Sequence, residues 1–139
     1  MIRVFNSHPK HRIRRDETLR LARRVLKGEG PGKVDLNIVY IDDRQMVGLN
    51  RKYLKHRTPT DVLSFSLSGQ RLRDGEKLEG EVYVNLDQAR RQAGLFHESI
   101  RNEVARLVIH GILHLVGYDD ASMRQKKAMT RLEDAYLGR

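Results

Sequence analysis

Two histidines four residues apart, His110 and His114, stand in the segment LVIHGILHLVGYDD, which runs from Leu107 to Asp120. From Leu107 to Val116 every residue is apolar except His110, Gly111 and His114. A stretch apolar nearly all round is normally a buried helix, and imidazoles inside it need partners, because unpaired buried polar groups are costly. Positions i and i+4 lie about 6 Å apart along a helix axis on one face, so both rings can converge on one ion. Imidazole is a common zinc ligand, at about 2.0–2.1 Å. Gly117 stops the helix and turns the chain back, which lets Asp119 or Asp120 supply a third ligand from outside it. Asp120 has a second reading as the N-cap of the following helix, and a lone buried histidine is often only a hydrogen-bonded core residue. The pair followed by glycine and two acids points instead to a metal. His8, His11, His56 and His97 stand in loops or polar segments and receive no role, and Pro9 discourages a helical pairing of the first two.

The spacing is that of a zinc protease's H-E-x-x-H, but Gly111 replaces the glutamate that acts as general base there. That counts against peptide hydrolysis. A metallopeptidase-like hydrolase is therefore the weakest of three functional readings.

The elements that must carry these residues follow from periodicity. Ile2 to Phe5, Val34 to Ile41, Val62 to Leu67 and Glu81 to Leu86 alternate apolar and polar residues and read as strands. The last two are separated by a polar stretch holding the turn signal Asp74-Gly75. Asp16 to Lys27 reads as a helix with Leu19, Ala22, Val25 and Leu26 inside, Arg20, Arg23, Arg24 and Lys27 outside, ended by Gly28 and the Gly30-Pro31-Gly32 break. Further helices are expected from Asp42 or Asp43 to about Tyr53, from an Asp87 cap to about Phe96, from Ser99 to Val116 and from about Ser122 to Leu137. The order implies an α+β fold, a small mixed four-stranded sheet packed with about five helices. The metal site would sit at the end of the long central helix.

The chain has 139 residues, a length that usually forms one domain, here residues 1–139. The absence of Cys excludes disulfide scaffolds and thiolate metal sites. It also permits a reducing compartment. No apolar run approaches the roughly 18 residues of a membrane span, and the start MIRVFNSHPK lacks a signal peptide's apolar segment. The formal net charge is +9, and residues 1–33 hold ten Lys or Arg against three acids, so most of the excess is near the start. Such a field attracts polyanions, of which nucleic-acid backbones are the commonest inside cells. A merely solvating surface is the alternative.

Together these features resemble the YbeY endoribonucleases, whose signature H-G-x-L-H-x-x-G-Y-D-H appears here as HGILHLVGYDD, His110 to Asp120. A second family run is matched by Asn50-Arg51-Lys52-Tyr53 followed by Pro59 to Phe65. A third, weaker one is matched by Gly80 to Val84 leading into Leu86 to Ala89. The resemblance implies a cytoplasmic, metal-dependent RNase of α+β fold that cuts single-stranded RNA, acting in 16S rRNA 3′-end maturation and ribosome quality control. It implies one zinc ion per chain on His110, His114 and Asp120, the last standing where the family has its third histidine. Nickel and copper also accept imidazole. Asp119 matches a signature aspartate that is not a ligand, and is expected to hydrogen-bond a ligand histidine or the turn.

Two departures bear on chemistry. Asp120 lowers the charge of an occupied site from +2 to +1, so water bound there should be less acidic than in a three-histidine site. Leu54 stands where an arginine often follows the tyrosine, so any phosphate contact falls to Arg51, Lys55 or Arg57. Lys55 and Arg57 are also the residues expected nearest the catalysis. RNA is expected along Arg20, Arg23, Arg24, Arg51, Lys55 and Arg57, with rRNA and the ribosome as partners. The second functional reading keeps these contacts but makes the protein a non-catalytic, zinc-stabilised rRNA-binding module.

Overall fold

The computed structural model describes residues 1–54, 60–67 and 75–138. Lys55, His56, Arg57 and Asp74 lie outside the described residues, as does most of the polar stretch between the third and fourth strands.

Four strands form one sheet: β1 (Ile2–Asn6), β2 (Val34–Ile41), β3 (Val62–Ser66) and β4 (Leu78–Asn85). Their spatial order is β1-β2-β4-β3, with β1, β2 and β4 parallel and β3 antiparallel to β4. The helices are α1 (Arg15–Glu29), α2 (Asp43–Leu49), α3 (Leu86–Leu95), α4 (Ile100–Val116) and α5 (Met123–Leu137), with a π-helical turn at Asn50–Leu54. The α+β class and the mixed four-stranded sheet are as the periodicity implies.

Alternation decides which face of the sheet is covered. Leu36, Ile38 and Tyr40 of β2 and Val82 and Val84 of β4 are buried together with apolar residues of α1, α3, α4 and α5. Their neighbours Asn37, Val39, Glu81 and Tyr83 point to the opposite, more open face. α4 is the central helix and packs on β3, β4, α1, α3 and α5. Leu107, Val108, Ile109, Ile112, Leu113 and Leu115 are all buried along it. Each such side chain stabilises the fold by about 1.5–3 kcal/mol relative to exposure, so α4 is firmly held in the core.

Several boundaries differ from those read in the sequence. α1 runs through Gly28 to Glu29 and closes at Gly30, the start of the Gly30-Pro31-Gly32 break. On its inner face Thr18 is buried and Leu19 only partly so, because the Thr18 hydroxyl meets the Tyr40 hydroxyl at 2.8 Å. The helix begun by the Asp42 capping box ends at Leu49 and passes into the π-helical turn. β4 begins at Leu78 rather than Glu81, since it pairs with β2 from Val34 onward. Leu86 belongs to α3, whose cap is Asn85 rather than Asp87: its side chain accepts from the amides of Asp87 and Gln88. Asp87 is thereby released for other bonds. The cap of α5 is Ser122, which reciprocates with Gln125, so the capping reading of Asp120 fails.

Candidate metal centre

α4 presents His110 and His114 one turn apart toward β3, and the chain beyond it brings Asp120 back to them. Gly117 makes that return possible. It adopts φ 122°, where a side chain would be strained, while its amide bonds back to Leu113 and His114 carbonyls. The Tyr118 amide also bonds to the Leu113 carbonyl at 3.0 Å, and the Tyr118 hydroxyl donates to Glu29 Oε1 at 2.7 Å. The loop bearing Asp120 is thus tied to both α4 and the end of α1.

The three donor atoms form a small triangle. His110 Nε2 and His114 Nε2 are 3.0 Å apart, and Asp120 Oδ2 lies 3.3 Å from the first and 3.6 Å from the second. Ligands about 2.0–2.1 Å from a tetrahedral ion stand about 3.3 Å from one another, so the triangle has the dimensions of one face of such a site. Two imidazole nitrogens and a carboxylate oxygen this close repel unless a cation or proton lies between them. The donor set therefore fits a borderline-soft divalent metal.

The other nitrogen of His110 is held from α5. His110 Nδ1 donates to Glu133 Oε2 at 2.6 Å, which leaves the Nε2 lone pair aimed at the triangle. Glu133 is buried, and its other oxygen accepts from Arg106, which also pairs with Asp134 at 2.5 Å. Burial works to lower the His110 pKa, but the Glu133 hydrogen bond and the charges of Glu133, Asp120 and Asp61 outweigh it, and the net direction is upward. A protonated His110 between the carboxylates is accordingly the rival to a bound ion, and metal content separates the two.

Asp119 does not take the place expected of it. It is exposed at the pocket rim and makes no side-chain hydrogen bond among the described residues. Asp120 is half-buried against the two rings, whereas Asp119 beside it is exposed. The carboxylate that holds His110 is Glu133, which sequence reasoning missed. Its signal was faint: an acid four residues after Met129, in line with the buried stripe of α5.

The triad opens into a cavity of about 680 Å³ lined on the far side by Thr60, Asp61, Val62, Leu63, Ser64 and Ser66. The Ser64 hydroxyl donates to the Gly111 carbonyl at 2.8 Å and is thereby committed to holding β3 against α4. Gly111 is required by that closeness. A Cβ there would come within 2.5 Å of Val82 Cγ1 and 3.2 Å of Ser64 Oγ. A side chain at this position points into the sheet, away from the triad, so the protease glutamate has neither room nor direction here. No lysine or arginine lines the cavity among the described residues. Arg20, Arg23 and Arg24 are exposed on α1, and Arg20 and Arg24 line a separate cleft between α1 and α4. Arg51 is exposed on the π-helical turn, while Lys55 and Arg57 lie outside the described residues.

A second trio, His8, His11 and Asp87, also brings donor atoms within 4.8 Å of one another. Its bonds are already taken. His8 Nδ1 accepts the amides of Lys10 and His11 at 3.1 and 3.0 Å, and Nε2 donates to Asp87 at 2.8 Å. Asp87 Oδ2 accepts the Asp43 amide at 2.9 Å. His8 is a structural pin joining the β1 exit to α2 and α3.

Comparison with known proteins matches these features to one family. The family model described as Endoribonuclease YbeY matches residues 3–139. A protein named Endoribonuclease YbeY from Pelotomaculum thermopropionicum is 41% identical over 145 aligned positions, covering 98% of this chain and 95% of that one. One of the same name from Aquifex aeolicus is 36% identical, covering 99% and 91%. The solution structure of TM1509 from Thermotoga maritima superposes with a TM-score of 0.65 at 26% identity, covering 99% of this chain and 90% of that one.

Proposed function

Because the chain belongs to the YbeY endoribonuclease family, we propose that it is an endoribonuclease that cuts single-stranded RNA with one zinc ion held by His110, His114 and Asp120. Hydrolysis of phosphodiester bonds is the activity that family membership carries. The single observation that supports the metal is the triangle of donor atoms, sized for one ion and fixed from behind by Glu133. When bound, the ion supplies Lewis acidity toward a phosphoryl oxygen. The chain's own part is positional. Glu133 sets the His110 tautomer, the Gly117 turn places Asp120, and the β3 wall with Thr60, Asp61 and Ser66 shapes the space in which a phosphate sits.

The finer reading is maturation of the 16S rRNA 3′ end and ribosome quality control in the cytoplasm, with residues 1–139 acting as one domain and rRNA and the ribosome as partners. No helix among the described residues is long and apolar enough to cross a membrane. Incubation of the metal-loaded protein with a labelled single-stranded RNA, the same RNA in duplex, and casein tests the reading. Cleavage of the single strand alone, abolished by a chelator and restored by zinc, is expected. Unchanged cleavage after exhaustive chelation would remove the metal from the proposal, and casein hydrolysis would replace the substrate.

A further inference from the structure

The strand that walls the metal-capable cavity has a second face. Val62, Ser64 and Ser66 of β3 turn toward α4, while Leu63 and Phe65 are in register with Tyr83 and Glu81 on the open face of the sheet. The π-helical turn lays Tyr53 on that face, its ring 5.1 Å from Phe65, and Phe65 meets Tyr83 edge-on at 5.8 Å. Tyr53 is 53% exposed. Lys52 Nζ stands 5.2 Å over the Tyr53 ring. Arg51 and Lys52 are both exposed and have no acidic partner among the described residues. Leu63, on the Phe65 side of the strand, also lines the cavity. The cavity therefore reaches the edge strand that carries Phe65 on its other face.

An exposed ring flanked by unpaired cations suits a polyanion with flat apolar units. Bases offer π-faces whatever their sequence, and phosphates offer charge. The acids nearby set the direction of approach. Glu81 accepts from the Tyr83 hydroxyl at 3.1 Å and from Asn37 at 3.4 Å, and Glu79 pairs with Lys77 at 2.8 Å. They repel phosphates from the sheet centre, whereas Arg51 and Lys52 attract them.

We propose that Tyr53 and Phe65, with Arg51 and Lys52 beside them, form a stacking platform that grips unpaired bases of the single-stranded RNA leaving the metal-capable cavity over the β3 edge. The platform rests on the RNA-cleaving reading above and adds to it the place where the strand is held. It favours unpaired RNA because bases in a duplex have no free face to offer.

The chain contains no tryptophan, so Tyr53→Trp installs a single reporter on the platform. In the presence of a chelator, an oligoadenylate should quench its fluorescence, and an abasic ribose-phosphate oligomer of equal length should not. Tyr53→Phe should bind the oligoadenylate within about twofold of the wild type, and Tyr53→Ala should bind it roughly 5- to 100-fold more weakly. The two aromatic variants keep the test decisive if Tyr53→Ala unfolds. Wild-type affinity in a folded Tyr53→Ala, equal binding of the abasic oligomer, or an unquenched indole would each overturn the platform. Cleavage by metal-loaded wild type, measured in parallel, separates the two ideas. Intact cleavage without dependence on Tyr53 removes only the platform, while base-dependent quenching without cleavage removes only the nuclease reading.

Discussion

The two nitrogens of His110 perform different tasks, and the chemistry of the site turns on keeping them apart. Nδ1 is committed to Glu133, so Nε2 faces His114 and Asp120 in the metal-capable triangle. Glu133→Gln keeps the shape and removes the charge; it should lower zinc affinity about 10- to 100-fold without changing the ligand set. Asp119→Ala, by contrast, should leave affinity close to wild type, since Asp119 bonds to neither ring. Competition against a chromogenic chelator reads both affinities, and X-ray absorption reads the ligands. Equal losses in the two variants would mean that Asp119 shares the supporting role. His114→Ala should reduce elemental zinc from about one per chain to near zero, as a single shared site requires. The histidine pair was legible in the sequence because i, i+4 geometry needs only a helix. Glu133 was not, because its contact to His110 depends on how two helices pack, which no local spacing encodes.

Elements were legible where one pattern acts alone. β2 alternates from Leu36 to Tyr40 in burial and has the bounds read for it, Val34–Ile41. β4 was truncated in the reading because Glu79 and Gly80 look like loop; only their pairing with Asp35 and Leu36 makes them strand. Gly111 shows the same kind of override. Alanine in mid-helix is favoured over glycine by about 1 kcal/mol, yet the approach of Val82 leaves no room for a methyl group. Gly111→Ala should therefore lower stability by about 1–3 kcal/mol, the usual effect of overpacking. Val82→Ala should be destabilising by itself but should recover part of that loss in the double variant. Urea midpoints of the four proteins give the coupling, and simple additivity would mean that α4 and β4 do not meet as closely as described. The pin around Asp87 gives a pH dependence. The Arg91 hydrogen bond lowers the Asp43 pKa. Burial would raise that of Asp87, but bonds from His8 and the Asp43 amide prevail and lower it too. Both carboxylates therefore stabilise the fold above their unfolded value of 3.8, and that contribution is lost as the pH falls through their folded values. Asp87→Asn should be less stable than wild type at pH 6, and the gap between them should narrow by pH 3. A constant gap would show that the Asp87 charge contributes nothing.

At the scale of the whole molecule, charge and chemistry occupy different places. The excess of +9 is concentrated near the start of the chain, and the exposed face of α1 carries Arg20, Arg23 and Arg24. The triad instead faces β3, in a cavity with no lysine or arginine among its described lining residues. No α1 residue is among the described residues lining that cavity, so a short RNA held there is expected to miss the three arginines, whereas a long one is expected to pass over both regions. Counterion release makes phosphate binding steeply salt-dependent, with a slope of about −0.7 per phosphate neutralised on a single strand. Reversing Arg20, Arg23 and Arg24 to glutamate removes two charges at each position and takes the net charge from +9 to +3. On a long single-stranded RNA the triple variant should show a raised KM, a flatter salt dependence and an unchanged kcat, because the cutting site is untouched. On an oligomer of a few nucleotides both constants should stay near wild type at moderate salt, where charges beyond about 10 Å are screened. A fall in kcat on the short oligomer would place α1 within the cutting site. An unaltered KM on the long RNA would leave its arginines as a solvated surface and put the whole electrostatic footprint beside β3.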